Sequence, residues 1–201
     1  MKGTDIYLIF YNAVQVLGWG SILVKTVLGL VSGSSNVQLY ENVEWELQIF
    51  QTAAILEIVH TAVGLVRSPL GTTITQVFSR VTVVWLILFK VVSSRASIGV
   101  PMLLVACSSL FAHLDAIHFF IALYPLGASG EVITMIAALP EIGQKKHWTL
   151  EMPNGLNFAF SFYCFVIFLC LVYLPGFPQL YGYMFVQRKK VLSTNKTKKV
   201  A

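Results

Sequence analysis

The sequence predicts an all-α fold, a polytopic transmembrane helix bundle, on three observations. Of its 201 residues, 56% are hydrophobic and only 11% are charged, with a mean hydropathy of +0.74. A soluble domain is about 45–50% apolar and roughly 25% charged, so a surface this poor in charge suits lipid. The apolar residues are also gathered into runs close to the roughly 20 residues that one helix needs to cross the hydrocarbon layer. Finally, the net charge of +5 is concentrated at one end, in Arg188, Lys189, Lys190, Lys196, Lys198 and Lys199. That distribution argues against a nucleic-acid binder and reads as the cytosolic basic end of a membrane protein.

Taken in order, the first helix covers residues 6–31, a run too long for a signal-peptide core and followed by no clear cleavage site. The second covers 45–66 and closes at Arg67-Ser68-Pro69; the third covers 74–92. A shorter run, 98–111, starts cleanly around Pro101 and is interrupted by His113-Leu114-Asp115. The fifth helix covers 116–139 and the sixth 156–174, with a polar loop from 141 to 155 between them. Residues 175–186 are aromatic (Phe177, Tyr181, Tyr183, Phe185) and read as an interfacial belt. The organisation is thus a bundle over 1–186 and a basic tail over 187–201. Six helices place both termini on one side; five, if 98–111 does not cross, move the amino terminus to the other.

The first loop is acidic, with Glu41, Glu44 and Glu46, whereas Lys90, Arg95, Lys145 and Lys146 fall on the side opposite the basic tail and run against the charge bias. Cys107, Cys164 and Cys170 all lie in apolar runs with no Cys-x-x-Cys spacing, as small buried side chains rather than metal ligands. The final Lys198-Lys199-Val200-Ala201 places lysines third and fourth from the end, the dilysine pattern of retrieval to the endoplasmic reticulum, an address and not an anchor. On that side of the membrane the sequon Asn195-Lys196-Thr197 stays unused.

Carboxylates inside apolar runs are costly and normally face the bundle interior with a partner or a task. Glu57 and His60, three residues apart, share a helical face; a helix-to-helix hydrogen bond accounts for them better than a metal, for which two ligands make a poor site. Tyr124 and Glu131 are seven apart, nearly two turns, and point the same way. Pro125 frees a backbone carbonyl between them, and Gly127, Ala128, Ser129 and Gly130 are small. These small residues serve either close helix packing or a slot with a phenol at one end and a carboxyl at the other. A carboxyl withdrawn from water becomes a usable base and a neutral phenol a donor. Together they fit removal of a proton from one carbon and protonation of a hydroxyl on the next, a dehydration of a substrate with a long acyl chain.

Several blocks resemble the very-long-chain (3R)-3-hydroxyacyl-CoA dehydratase family, also called protein-tyrosine-phosphatase-like proteins. They are Phe50-Gln51-Thr52-Ala53-Ala54-Ile55-Leu56-Glu57-Ile58-Val59-His60, Val77-Phe78-Ser79-Arg80-Val81, and Leu123-Tyr124-Pro125-Leu126-Gly127-Ala128-Ser129-Gly130-Glu131. Ala137-Ala138-Leu139-Pro140, Met152-Pro153-Asn154-Gly155-Leu156-Asn157-Phe158 and Phe177-Pro178-Gln179-Leu180-Tyr181 follow in order. The resemblance implies Tyr124 and Glu131 as the catalytic pair. It also implies a long-chain 3-hydroxyacyl-CoA substrate, elongase and reductase enzymes as partners, residence in the endoplasmic reticulum membrane with the carboxyl end cytosolic, and no metal or redox cofactor. Its phosphatase name does not carry over. A cysteine phosphatase needs His-Cys, five residues, then Arg, and here Thr61 stands where the thiolate would be, between His60 and Arg67.

Two departures stand out. Between Arg95 and Tyr124 the family's Glu-Ile-Ile-Arg-Tyr block is absent, as is a basic residue just before the Tyr124 helix, where Ala116 stands; Ser161 replaces a usual Asp. The shortened stretch makes a catalytically impaired scaffold or regulator of elongase partners the alternative function. A small transporter using Glu57 and Glu131 lacks the inverted repeat such proteins carry.

Overall fold

A computed structural model describes residues 3–66, 68–112, 117–153, 155 and 157–200. Among these residues, eight α-helices run in the order α1 (Gly3–Val31), α2 (Asn36–Glu41), α3 (Glu44–Ala53), α4 (Ile55–Ala62), α5 (Leu70–Val81), α6 (Gly99–Ala112), α7 (Ile117–Lys145) and α8 (Phe162–Val200). A π-helical segment, Thr82–Leu88, extends α5, and a 3₁₀ turn, Val92–Ala96, precedes α6. Among the described residues there is no β-strand, only an isolated bridge between Leu150 and Phe160. Among the described residues, four helical stretches are long and apolar enough to cross a membrane: Gly3–Val31, Leu70–Leu88, Leu123–Lys145 and Phe162–Gln179.

The expected second helix is broken. Ala54 donates its N–H to both Phe50 and Thr52, and the Thr52 hydroxyl turns back onto the Gln48 carbonyl at 2.7 Å. Such back-bonding bends helices, and the Trp85 indole, donating to the same hydroxyl at 3.0 Å, ties the bend to the extended α5. The short run 98–111 is α6; its 14 residues rise only about 21 Å. The expected loop at 141 starts later, because α7 continues through Pro140 to Lys145. The segment 175–186 is helical: α8 passes through Pro175 and Pro178, and residues 187–200 continue it. Prolines are tolerated inside membrane helices where neighbours satisfy the freed carbonyls. The first loop holds a helix, α2, closed at its start by a reciprocal capping box between Ser35 and Gln38. Arg67, His113-Leu114-Asp115, Ala116, Asn154, Leu156 and Ala201 lie outside the described residues.

Large apolar side chains cover the outside of the bundle as well as its core. Leu17, Val24 and Leu28 of α1 face outward, while Gln15, Thr26, Ser108 and Thr134 are buried. All four bond within the bundle: Gln15 to Tyr11, Thr26 to the Ile22 carbonyl, Ser108 to the Leu104 carbonyl and Thr134 to the Gly130 carbonyl. α6 lies between α1 and α7, and α8 packs on α7. The α6–α7 crossing depends on glycine. A Cβ on Gly130 would stand 2.8 Å from the Leu103 amide nitrogen, and one on Gly99 2.5 Å from the Gly130 carbonyl oxygen.

Candidate active site

Tyr124 and Glu131 line one cavity of about 90 Å³. Its walls come from four helices: Gln76, Ser79 and Arg80 of α5, Cys107 of α6, Tyr124, Ala128 and Glu131 of α7, and Tyr173 and Phe177 of α8. The seven-residue spacing on α7 therefore does bring the phenol and the carboxyl to a common space. The four small residues between them divide. Gly127 and Ala128 border the cavity. Gly130 serves the crossing with α6, and Ser129 is exposed.

Glu131 is 6% exposed, and a buried carboxyl requires hydrogen-bond donors. Tyr173 of α8 donates its hydroxyl to Glu131 Oε2. Ser79 stands within hydrogen-bond reach of both Glu131 and Tyr173, and its hydroxyl also lies 3.1 Å from the Gln76 carbonyl. Arg80 acts by charge on Glu131 and on Glu57, although it makes no direct ion pair with either among the described residues. Tyr124 is held by stacking, with its ring 5.6 Å from Phe177 and 6.5 Å from Tyr181.

His60 faces α1, away from the cavity. Its Nε2 lies 2.9 Å from the Tyr7 hydroxyl, and its ring meets the edges of Tyr7 and Tyr11 at 5.4 and 4.8 Å. This is an interhelical contact, as its position beside Glu57 leads one to expect. Glu57 is half-buried and lies within electrostatic range of Tyr11 and Arg80. Among the described residues no three His, Cys, Asp or Glu side chains gather as a metal site.

Arg80, Ser79 and Tyr173 have no site role in the sequence reading, although Ser79 and Arg80 fall in one of the resemblance blocks. Arg80 carried a usable signal, since a charge inside the apolar run 74–92 meets the same test that singles out Glu57. Tyr173 carried none, because its contact with Glu131 spans 42 residues and exists only once α8 packs on α7.

A family model described as "Protein tyrosine phosphatase-like protein, PTPLA" matches residues 51–111 and 116–194. The "Very-long-chain (3R)-3-hydroxyacyl-CoA dehydratase hpo-8" of Caenorhabditis elegans is 52% identical over 212 aligned positions, which cover 96% of this chain and 97% of that protein. The human "Very-long-chain (3R)-3-hydroxyacyl-CoA dehydratase 2" is 38% identical over 93% of this chain and 81% of its own length. The Arabidopsis thaliana dehydratase "PASTICCINO 2" is 37% identical over 95% of each. No solved structure matches. The worm alignment is 212 positions long but takes in 96% of a 201-residue chain, so about 19 positions of that relative have no counterpart here. The family match breaks between residues 111 and 116, inside the interval where the sequence is short.

Proposed function

Because the chain belongs to the protein tyrosine phosphatase-like family, we propose that it is a very-long-chain (3R)-3-hydroxyacyl-CoA dehydratase that eliminates water to give the trans-2-enoyl-CoA. The observation that carries this reading is the common cavity of Tyr124 and Glu131, walled by four helices that the family match covers almost throughout. Glu131 takes the proton from C2, which the neighbouring thioester carbonyl acidifies. The C–H electrons become the C2=C3 double bond, the C3–O bond breaks, and Tyr124 protonates the departing oxygen to release water. Passage of the proton from Glu131 to the Tyr124 phenolate resets the pair. Glu131 suits the base because it already accepts the Tyr173 hydrogen bond. Tyr124 suits the acid because its hydroxyl has no hydrogen-bond partner among the described residues and is open to substrate. Arg80 supplies positive charge close to the carboxyl.

The test is turnover by the purified chain in detergent, with a long-chain (3R)-3-hydroxyacyl-CoA as substrate and trans-2-enoyl-CoA identified as product. Activity supports the reading and a complete lack of it overturns it. The missing stretch favours a second reading, a scaffold for elongase partners without catalysis of its own. The retained Tyr124, Glu131 and cavity weigh against that, and the same assay separates the two.

The proposal extends to the membrane. Six crossings result if α3–α4 and α6, each too short or too bent to be counted with the four long stretches, complete the bundle. Both termini then lie in the cytosol, with the basic end of α8 as a tail over 187–201 and Lys198-Lys199 as a retrieval signal of the endoplasmic reticulum. Elongase and reductase enzymes of the same cycle are the expected partners. Protease added to sealed microsomes should remove a tag placed after Ala201, whereas a protected tag refutes the orientation.

A further inference from the structure

The site contains two phenols that are placed differently. Tyr124 lies on α7 with Glu131, stacked against Phe177 and making no hydrogen bond among the described residues. Tyr173 lies on α8, opposite them, and its hydroxyl meets Glu131 Oε2. The other polar neighbours hold the carboxyl less directly. Ser79 stands within hydrogen-bond reach of it but also of the Gln76 carbonyl, and Arg80 acts on the carboxyl by charge without an ion-pair contact. A carboxylate on a helix has free side-chain torsions unless a neighbour holds one of its oxygens, and reaction geometry tolerates little misplacement.

We propose that Tyr173 is a positioning residue for the dehydration: it holds Glu131 Oε2 so that Oε1 faces the C2 proton, and leaves Tyr124 free to meet the C3 hydroxyl. This rests on the dehydratase reading of Glu131. It separates the two phenols by task, with one binding the base and one binding the substrate. Tyr173 stays bonded to Glu131 and does not touch the reacting carbons.

The experiment uses the full chain in detergent, as wild type, Tyr173→Phe, Glu131→Gln and the double variant. Tyr173→Phe keeps the ring and removes only the donor, so the α7–α8 packing survives. Loss of a hydrogen bond to a charged group should lower kcat about 10- to 100-fold, with KM within about twofold, since substrate binding is untouched. The double variant should be no slower than Glu131→Gln, because Tyr173 works only through that carboxyl. The infrared carboxyl band that disappears in Glu131→Gln should shift in Tyr173→Phe. Three results overturn the proposal: kcat of Tyr173→Phe within about threefold of wild type, losses that multiply in the double variant, or an unmoved Glu131 band. If the wild type shows no dehydratase turnover, the functional reading falls, and the infrared band alone decides whether Tyr173 holds the carboxyl.

Discussion

The two ends of the bundle treat charge in opposite ways. At the end formed by the 32–43, 89–98 and 146–161 connections, charges meet in direct contacts. Lys25 pairs with Glu46 at 2.5 Å, Arg95 with Glu44 at 3.3 Å, Lys145 with Glu141 at 2.8 Å, and Lys146 with Glu151. Arg95 also donates to the Leu88 and Phe89 carbonyls and lies 4.6 Å over the Tyr40 ring, while Lys90 stands 5.9 Å over Trp148. Burial, more than the nearby Glu44, pushes the Tyr40 phenol up to about 12, so it remains a neutral wall of this cluster. In and near the cavity, Glu131 and Glu57 form no ion pair with Arg80 among the described residues and act on it across space. Where connections reach water, opposite charges collapse together and fasten loops. Inside the bundle they are held apart, one carboxyl is bonded by a neutral phenol, and room remains between them.

Three of the four basic residues that run against the charge bias have acid partners at their own end, and Lys90 lies over the Trp148 ring instead. Arg95, Lys145 and Lys146 looked misplaced opposite the basic tail, but each is neutralised by an acid of the same end.

Variants that act on one end only can break the contrast, and they rank by size. Arg80→Met leaves two carboxyls without nearby positive charge and should cost about 3 kcal/mol of stability, close to the penalty for stranding a buried partner; thermal unfolding in detergent reads it. Gly130→Ala forces a methyl into the Leu103 amide and should cost about 2 kcal/mol by overpacking, read the same way. Arg95→Ala loses two carbonyl contacts and one ion pair and should cost about 1 kcal/mol, with turnover preserved. Lys25→Ala removes a half-exposed pair and should fall within about 0.5 kcal/mol. If Lys25→Ala proves more damaging than Arg80→Met, the ends do not differ as described. Glu57→Gln sharpens the comparison: it keeps shape and should retain most turnover, and complete loss in a folded variant would move Glu57 into the chemistry.

Much of this was legible in the sequence, and the exceptions share a cause. The class, the first helix and the Tyr124–Glu131 alignment follow from local periodicity, which a single helix imposes on its own residues. The kink at Ala54, the passage of α7 through Pro140 and the continuation of α8 through Pro175 and Pro178 depend on what packs against them. Proline read alone signals an end, yet neighbouring helices can keep it inside one. The same holds for the site: the pair on α7 was visible, whereas Tyr173 and Ser79 become neighbours of Glu131 only through the assembly of α5, α7 and α8.

The central claim is that Tyr124 and Glu131 act as one catalytic unit. It is tested most directly by turnover of a long-chain 3-hydroxyacyl-CoA by the wild type, Tyr124→Phe, Glu131→Gln and the double variant, all confirmed as folded. Each single variant should lose about 10²–10⁴-fold, and the double should be little slower than the poorer single, because members of one unit are not additive. Single variants within about threefold of an active wild type, far short of that loss, would contradict the claim.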